Sequence, residues 1–191
     1  MRRLDIKPLK KLRGRARYER AFRRDMGQVA RWFPEPRYWA RGYDNWKLPI
    51  YEKVASERHG SPAFRREVVQ TLVDTAQAVV GNRPKAAAHG RVAAIIGWPD
   101  LFTSEICVFF DPIHAQRFDP EQEAIHSRQA LDGGWVESRA PERDLFTELD
   151  IALPDGFTGG GLAFEEHDEE FGETYAWERW VAMETSEGTA A

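Results

Sequence analysis

One cysteine in 191 residues removes two chemistries at once. Cys107 has no partner for an intrachain disulfide, and a zinc cluster built on several thiolates is out of reach. Its setting, "SEICVFFD", surrounds it with Ile106, Val108, Phe109 and Phe110, so it reads as a small buried apolar residue rather than a reactive thiol. Long apolar runs are also missing. The longest pieces, Val92–Ile96 and Ile106–Phe110, fall far short of the roughly 20 residues a membrane helix needs. The opening "MRRLDIKPLKKLRGRARYER" leads into no apolar segment and no small-residue cleavage site. A secretory signal is thereby set aside, and a cytoplasmic protein without membrane contact is predicted.

Catalytic signatures are equally scarce. The histidines stand apart at 59, 89, 114, 126 and 167, with no HExxH pattern. Gly159-Gly160-Gly161 leads towards a strand, whereas a phosphate-cradling loop feeds a helix, so these glycines read as a turn. "HDEE" at 167–170 reads as a solvated hairpin turn rather than a cation site. His114 and His126 flank a polar stretch with Asp111, Asp119, Glu121 and Glu123 nearby, which is where an acid–base site would sit if the chain held one. No catalytic residue, metal ligand or cofactor is assigned.

What the chain does have is 42% hydrophobic and 30% charged residues, the balance of a soluble globular protein with one core. Its charge is divided: residues 1–100 carry 22 Lys and Arg against 10 Asp and Glu, whereas residues 101–191 carry 5 against 21. A net charge of −4 therefore hides a cationic half and an anionic half. The densest basic stretch, "KKLRGRARYERAFRRD" at 10–25, is expected to belong to an arm over 1–17 and the start of a domain over 18–185, with residues 186–191 expected to form a flexible tail.

Phe22, Met26, Val29, Ala30 and Phe33 recur at helical spacing and predict a first helix, with Arg20, Arg23, Arg24 and Arg31 turned to water. Residues 34–51 combine three prolines with Tyr38, Trp39, Tyr43, Trp46 and Tyr51 and read as a ring-packed loop. Ser61 as N-cap, Pro62 at the first position and a stripe from Phe64 to Val80 predict a second, long helix, closed by a left-handed cap at Gly81 and Asn82. The continuous apolar runs 91–97 and 105–110 predict strands buried on both faces. Residues 111–143 read as a polar excursion, with a short helix in "PEQEAIHSRQAL". "LFTELDIALP" alternates and predicts a strand over 145–153; Leu162–Glu166 and Tyr175–Met183 predict two more around a charged turn. Together these give an α+β domain, two main N-terminal helices on a mainly antiparallel sheet of about five strands.

The blocks "KLRGRAR" (11–17), "NWKLP" (45–49), "RREVVQTLVDTAQ" (65–77), "RVAAIIGWPDLFTSEICVFF" (91–110), "LDIALPDGF" (149–157) and "YAWERWV" (175–181), taken in order, resemble an uncharacterised bacterial family, domain of unknown function 3916. The resemblance implies a self-contained bacterial cytosolic domain and carries over no activity. It also implies that the basic opening belongs to the domain rather than to an appended tag.

The charge layout leads to two binding readings. An acidic sheet face could take a basic protein through Glu148, Asp150, Glu166 and Glu178, with Trp180 or Trp177 as an anchor. An immunity-type neutraliser of a basic toxin is one concrete form, since it needs surface complementarity and no catalytic group. The alternative is a nucleic-acid-binding module using Lys10, Lys11, Arg13, Arg15, Arg17, Arg23 and Arg24, opposed by the repulsion of the acidic half. The basic arm is also expected to lie on the chain's own acidic half, which would satisfy both sets of charges without a ligand.

Overall fold

A computed structural model describes residues 16–17, 19–24, 43–47, 61–83, 90–98, 104–110, 115–116, 118, 126–131 and 133–185. Ser61 and Pro62 start the long helix as their chemistry predicts. The Ser61 hydroxyl accepts the Phe64 N–H (3.1 Å), and Pro62 sits where an amide would find no intrahelical acceptor. Helix α1 (Pro62–Gly81) buries Phe64, Val68, Val69, Leu72, Val73, Ala76 and Val79 on one stripe. Each large side chain so buried contributes about 1.5–3 kcal/mol before the entropy cost of ordering it. The C-terminal cap differs from the expected one: Gly81 is still helical and Asn82 has φ −106°, outside the left-handed region. Its side chain donates to the Ala78 carbonyl (2.8 Å), so an amide side chain closes the helix in place of a left-handed turn.

Among the described residues, seven strands form a single antiparallel sheet: β1 (Tyr43–Lys47), β2 (Arg91–Trp98), β3 (Glu105–Phe109), β4 (His126–Leu131), β5 (Gly134–Arg139), β6 (Phe157–Asp168) and β7 (Glu173–Glu184). Their order is β1-β3-β2-β7-β6-β5-β4. Side chains alternate between faces along each strand. Val92, Ala94, Ile96, Trp98, Ile106, Val108, Trp180 and Ala182 therefore share the core on the α1 side, while Ala93, Ile95, Cys107, Phe109, Val181 and Met183 pack beneath Ala115 and Phe118. Burial on both faces is what the unbroken apolar runs of β2 and β3 require, and Cys107 lies within it.

The fold is α+β, with several departures from expectation. Among the described residues α1 is the one long helix. Of the predicted first helix, residues 19–24 are helical, with Phe22 packed edge-to-face on Phe64 at 5.3 Å, and 25–33 lie outside the described residues. The ring-rich 34–51 loop is described only over 43–47, which forms β1. The polar excursion contains the β4–β5 hairpin instead of a helix at 126–131; Asp132-Gly133 is the hairpin signal, with Gly133 at φ 84°.

The predicted strand over 145–153 is a short helix, α2 (Leu145–Glu148), followed by an irregular link. The Asp144 carboxylate caps it, accepting from the Phe146 N–H (3.1 Å) and the Thr147 hydroxyl (2.6 Å). Ile151 N–H then bonds to the Phe146 carbonyl and Asp150 N–H to that of Thr147, a Schellman closure with Asp150 in the left-handed place usually held by glycine (φ 52°). Leu145, Phe146 and Leu149 bury one face of this turn, a spacing that the apparent two-residue alternation disguises.

Lastly, the three glycines lie inside β6, not in a turn. A Cβ on Gly159 would meet Phe146 and Leu153, and one on Gly161 would meet the Trp180 ring.

Candidate functional site

Helix α1 and the 115–118 segment cover the β3-β2-β7 part of the sheet, and the outer ends of β4, β5, β6 and β7 form a wing beyond it. Register sets what the wing displays. Phe164 pairs with Trp177, Glu166 with Tyr175 and with Val136, and Asp168 with Glu173, so all share the face opposite α1. A ladder of rings runs outward across this face from the core. Phe109 stacks on Phe118 (5.0 Å), the Arg179 guanidinium lies 5.0 Å from the rings of both Phe118 and Phe164, and Phe164 stacks on Trp177 (5.1 Å, 12°).

At its outer end the ladder meets solvent. Trp177 is 36% exposed, Tyr175 52%, Phe171 in the hairpin turn 70%, and Leu131 on β4 42%. Around these rings stand Glu166, Asp168, Glu169, Glu170 and Glu173. The turn is ordered by the Asp168 carboxylate, which accepts the amides of Glu170 (2.9 Å) and Phe171 (3.2 Å), and by Gly172 at φ 64°.

Tyr175 donates its hydroxyl to the Glu173 carboxylate, and that hydrogen bond, ahead of the neighbouring negative charges, holds its pKa above the ordinary tyrosine value. The bond supports the folded wing at neutral pH, and its contribution fades as pH rises through the raised pKa. In an ultraviolet alkaline titration we expect Tyr175 to ionise late, and its ionisation to move to lower pH in Glu173→Gln. An unchanged titration in that variant would remove the bond from the account.

On the opposite face, Arg128 lies 4.1 Å from the Trp135 ring centroid, Trp135 stacks on His167 (5.7 Å), and His167 Nδ1 is 3.0 Å from the Thr174 hydroxyl. Those aromatic faces are occupied from within the chain.

The structure divides the sequence-derived acidic set. Arg143 binds both Glu148 (3.1 Å) and Glu178 (2.9 Å), and its guanidinium lies over the Trp98 ring. Arg66 donates to the Asp150 carboxylate (2.8 Å) and to its carbonyl (2.9 Å), clamping the end of α2 to α1. Trp180 is 2% exposed, packed edge-to-face on Phe146, with its indole N–H on Glu178 (3.2 Å). As placed, it is a core residue and cannot also be a surface anchor. Glu166 alone of the five stands on the open wing. Tyr175 and Phe171 join it there, legible in sequence only once the hairpin register is known, since Tyr175, Trp177 and Arg179 then fall on one side.

Of the basic set, Lys10, Lys11, Arg13 and Arg15 lie outside the described residues. Arg17, Arg23 and Arg24 are exposed on helical turns, and both arms of Arg23 go to Glu67, a bond that raises its pKa. His114 lies outside the described residues, as does the His126 side chain. Among the described residues, no group of three His, Cys, Asp or Glu side chains is placed to hold a metal ion, and no helix is long and apolar enough to cross a membrane.

The family model described as "Protein of unknown function (DUF3916)" matches residues 23–184. The chain belongs to this family. Every described element except the turns before residue 23 lies within the matched span, so the α+β sheet, the ring ladder and the acidic hairpin are all parts of this DUF3916 chain. The "KLRGRAR" block at 11–17 falls outside that span. No curated protein and no solved structure matches the chain.

Proposed function

We propose that this DUF3916 chain is a non-catalytic, cytoplasmic protein-binding domain whose β6–β7 hairpin takes a basic protein. What carries the reading is the exposure of Trp177, Tyr175 and Phe171 among five carboxylates within the span 166–173, on the part of the sheet that neither α1 nor the 115–118 segment covers. Aromatic rings are the usual anchors of protein interfaces, and a ring of like charge steers an oppositely charged partner into register. The other acids of the original set are engaged by Arg66 and Arg143 and add field rather than free contacts. Neutralising a basic toxin is one form this activity could take, because occlusion needs complementarity and no reacting group.

The test compares proteins retained from the native cell extract by the immobilised wild-type chain with those retained by a Glu166→Gln, Glu169→Gln, Glu170→Gln and Glu173→Gln chain. A control chain carries Glu142→Gln and Asp155→Asn, two exposed acids away from the wing. Basic proteins held by the wild type and the control should be lost from the four-fold variant, and from the wild type at high salt. Equal retention by all three chains would sink the reading. Retention of nucleic acid instead would favour the basic N-terminal segment.

A further inference from the structure

Two rows of opposite charge sit on opposite sides of this chain. Residues 16–17 and 19–24 are helical, and Arg17, Arg20 and Arg24, three and four positions apart, share the side turned away from buried Phe22. All three are exposed, and Arg17 and Arg20 make no hydrogen bond or ion pair with the described residues. At 1.5 Å per residue the row is about 10 Å long.

The acidic row faces the other way. Phe22 packs on Phe64 of α1 and Arg23 binds Glu67, which places 16–24 on the α1 side of the sheet. Glu166, Asp168 and Glu173 share the opposite face with the exposed rings of Tyr175 and Trp177. Glu166 and Asp168 stand about 6.6–6.8 Å apart along β6, and Glu169 and Glu170 carry the row into the turn. The rows are comparable in length and opposite in sign, and the sheet with its covering helix stands between them. Within one copy the described arginines do not meet these acids. Between copies nothing separates them.

We infer that the acidic wing of one copy takes the Arg17, Arg20 and Arg24 row of a second copy, so that the basic surface recognised by the wing is carried by this chain itself. This rests on the protein-binding reading and names its partner. Both surfaces belong to one chain and are present in equal amounts at every concentration. Two wings set face to face would oppose like charges, which disfavours a two-fold contact through this face. Wing against row is a heterologous contact: each copy keeps one open wing and one open row, and copies add into a ring or a filament instead of stopping at a pair.

The test measures mass by light scattering on nucleic-acid-free protein. At low salt the mean mass of the wild type should rise above 21.9 kDa with concentration, and high salt should return it to that value. A wing variant, with Glu166, Glu169, Glu170 and Glu173 changed to Gln, should stay monomeric, as should a row variant with Arg17, Arg20 and Arg24 changed to Gln. Mixed in equal amounts, the two should form a dimer that grows no further, because one intact wing meets one intact row and the remaining surfaces are disabled. The mixed pair should associate at least about tenfold more tightly than either variant with itself. If the triple row variant unfolds, Arg17→Gln with Arg20→Gln serves in its place and keeps Arg24 and its contacts. Assembly by either variant alone, or a mixture that stays monomeric while the wild type assembles, overturns this pairing of surfaces. A monomeric wild type overturns self-pairing altogether and leaves the basic-protein reading to the extract comparison, which does not depend on it.

Discussion

Glu184→Ala is expected to lower stability by about 3–5 kcal/mol, the largest loss among single substitutions considered for this chain. Glu184 ends β7 and receives Arg83, just beyond the C-terminus of α1, with side-chain exposures of only 7% and 10%. The same carboxylate also accepts the Val92 N–H (3.3 Å), and Arg91 donates to the Glu184 carbonyl (2.8 Å). Helix, central strand and last strand are thus tied at one corner. Alanine would remove the carboxylate that Arg83 and the Val92 N–H share in a site that water scarcely reaches, which is why truncating it costs more than the pair contributes net. For a domain of this size the loss corresponds to a fall in melting temperature of roughly 10 °C. The double change Arg83→Met with Glu184→Leu should recover most of it by removing both charges together. Urea unfolding monitored by circular dichroism reads the effect as a shift in midpoint at constant slope. A Glu184→Ala midpoint equal to wild type would show that the pair is solvated.

Gly161→Ala is expected to cost about 1–3 kcal/mol, at the upper end of that range for one added methyl. Its Cβ would lie 2.5 Å from Trp180 Cε3 and 2.6 Å from Cζ3, well inside van der Waals contact. The indole cannot retreat, since Phe146 meets it edge-on and Glu178 holds its N–H. Combining Gly161→Ala with Trp180→Leu should therefore be less destabilising than the sum of the two single changes, because the smaller side chain vacates the space the methyl needs. Strict additivity in denaturant unfolding would count against this packing.

Helix α1 was readable because its signals are local: cap, first-turn proline and apolar stripe lie within one stretch of chain. The doubly buried β2 and β3 were readable for a similar reason, since unbroken apolar runs have few other uses. Long-range pairings were not. Arg66 meets Asp150 across 84 positions and Arg83 meets Glu184 across 101, and no local pattern selects those carboxylates from their neighbours. The overall opposition of basic and acidic halves does become contact at these points, through α1 and its exit, while residues 1–15 of the basic arm lie outside the described residues. The sequence also misdirects at 145–153, where alternation over a few residues coincides with one capped helical turn. At the wing, charge alone marked too many acids. Pairing register then separated those bound by Arg66 and Arg143 from those standing beside open rings.

Strand β7 is the last of the described strands and sits between β2 and β6, joining the β1-β3-β2 group to the β6-β5-β4 group. A chain emerging from the ribosome therefore carries two partial sheets with mutually unpaired edges until residues 173–184 arrive. Non-local pairing of this kind is slow to form and exposes apolar strands meanwhile. For this DUF3916 chain, β2 can pair with β3 at once, whereas its second neighbour, β7, is synthesised only some eighty residues later.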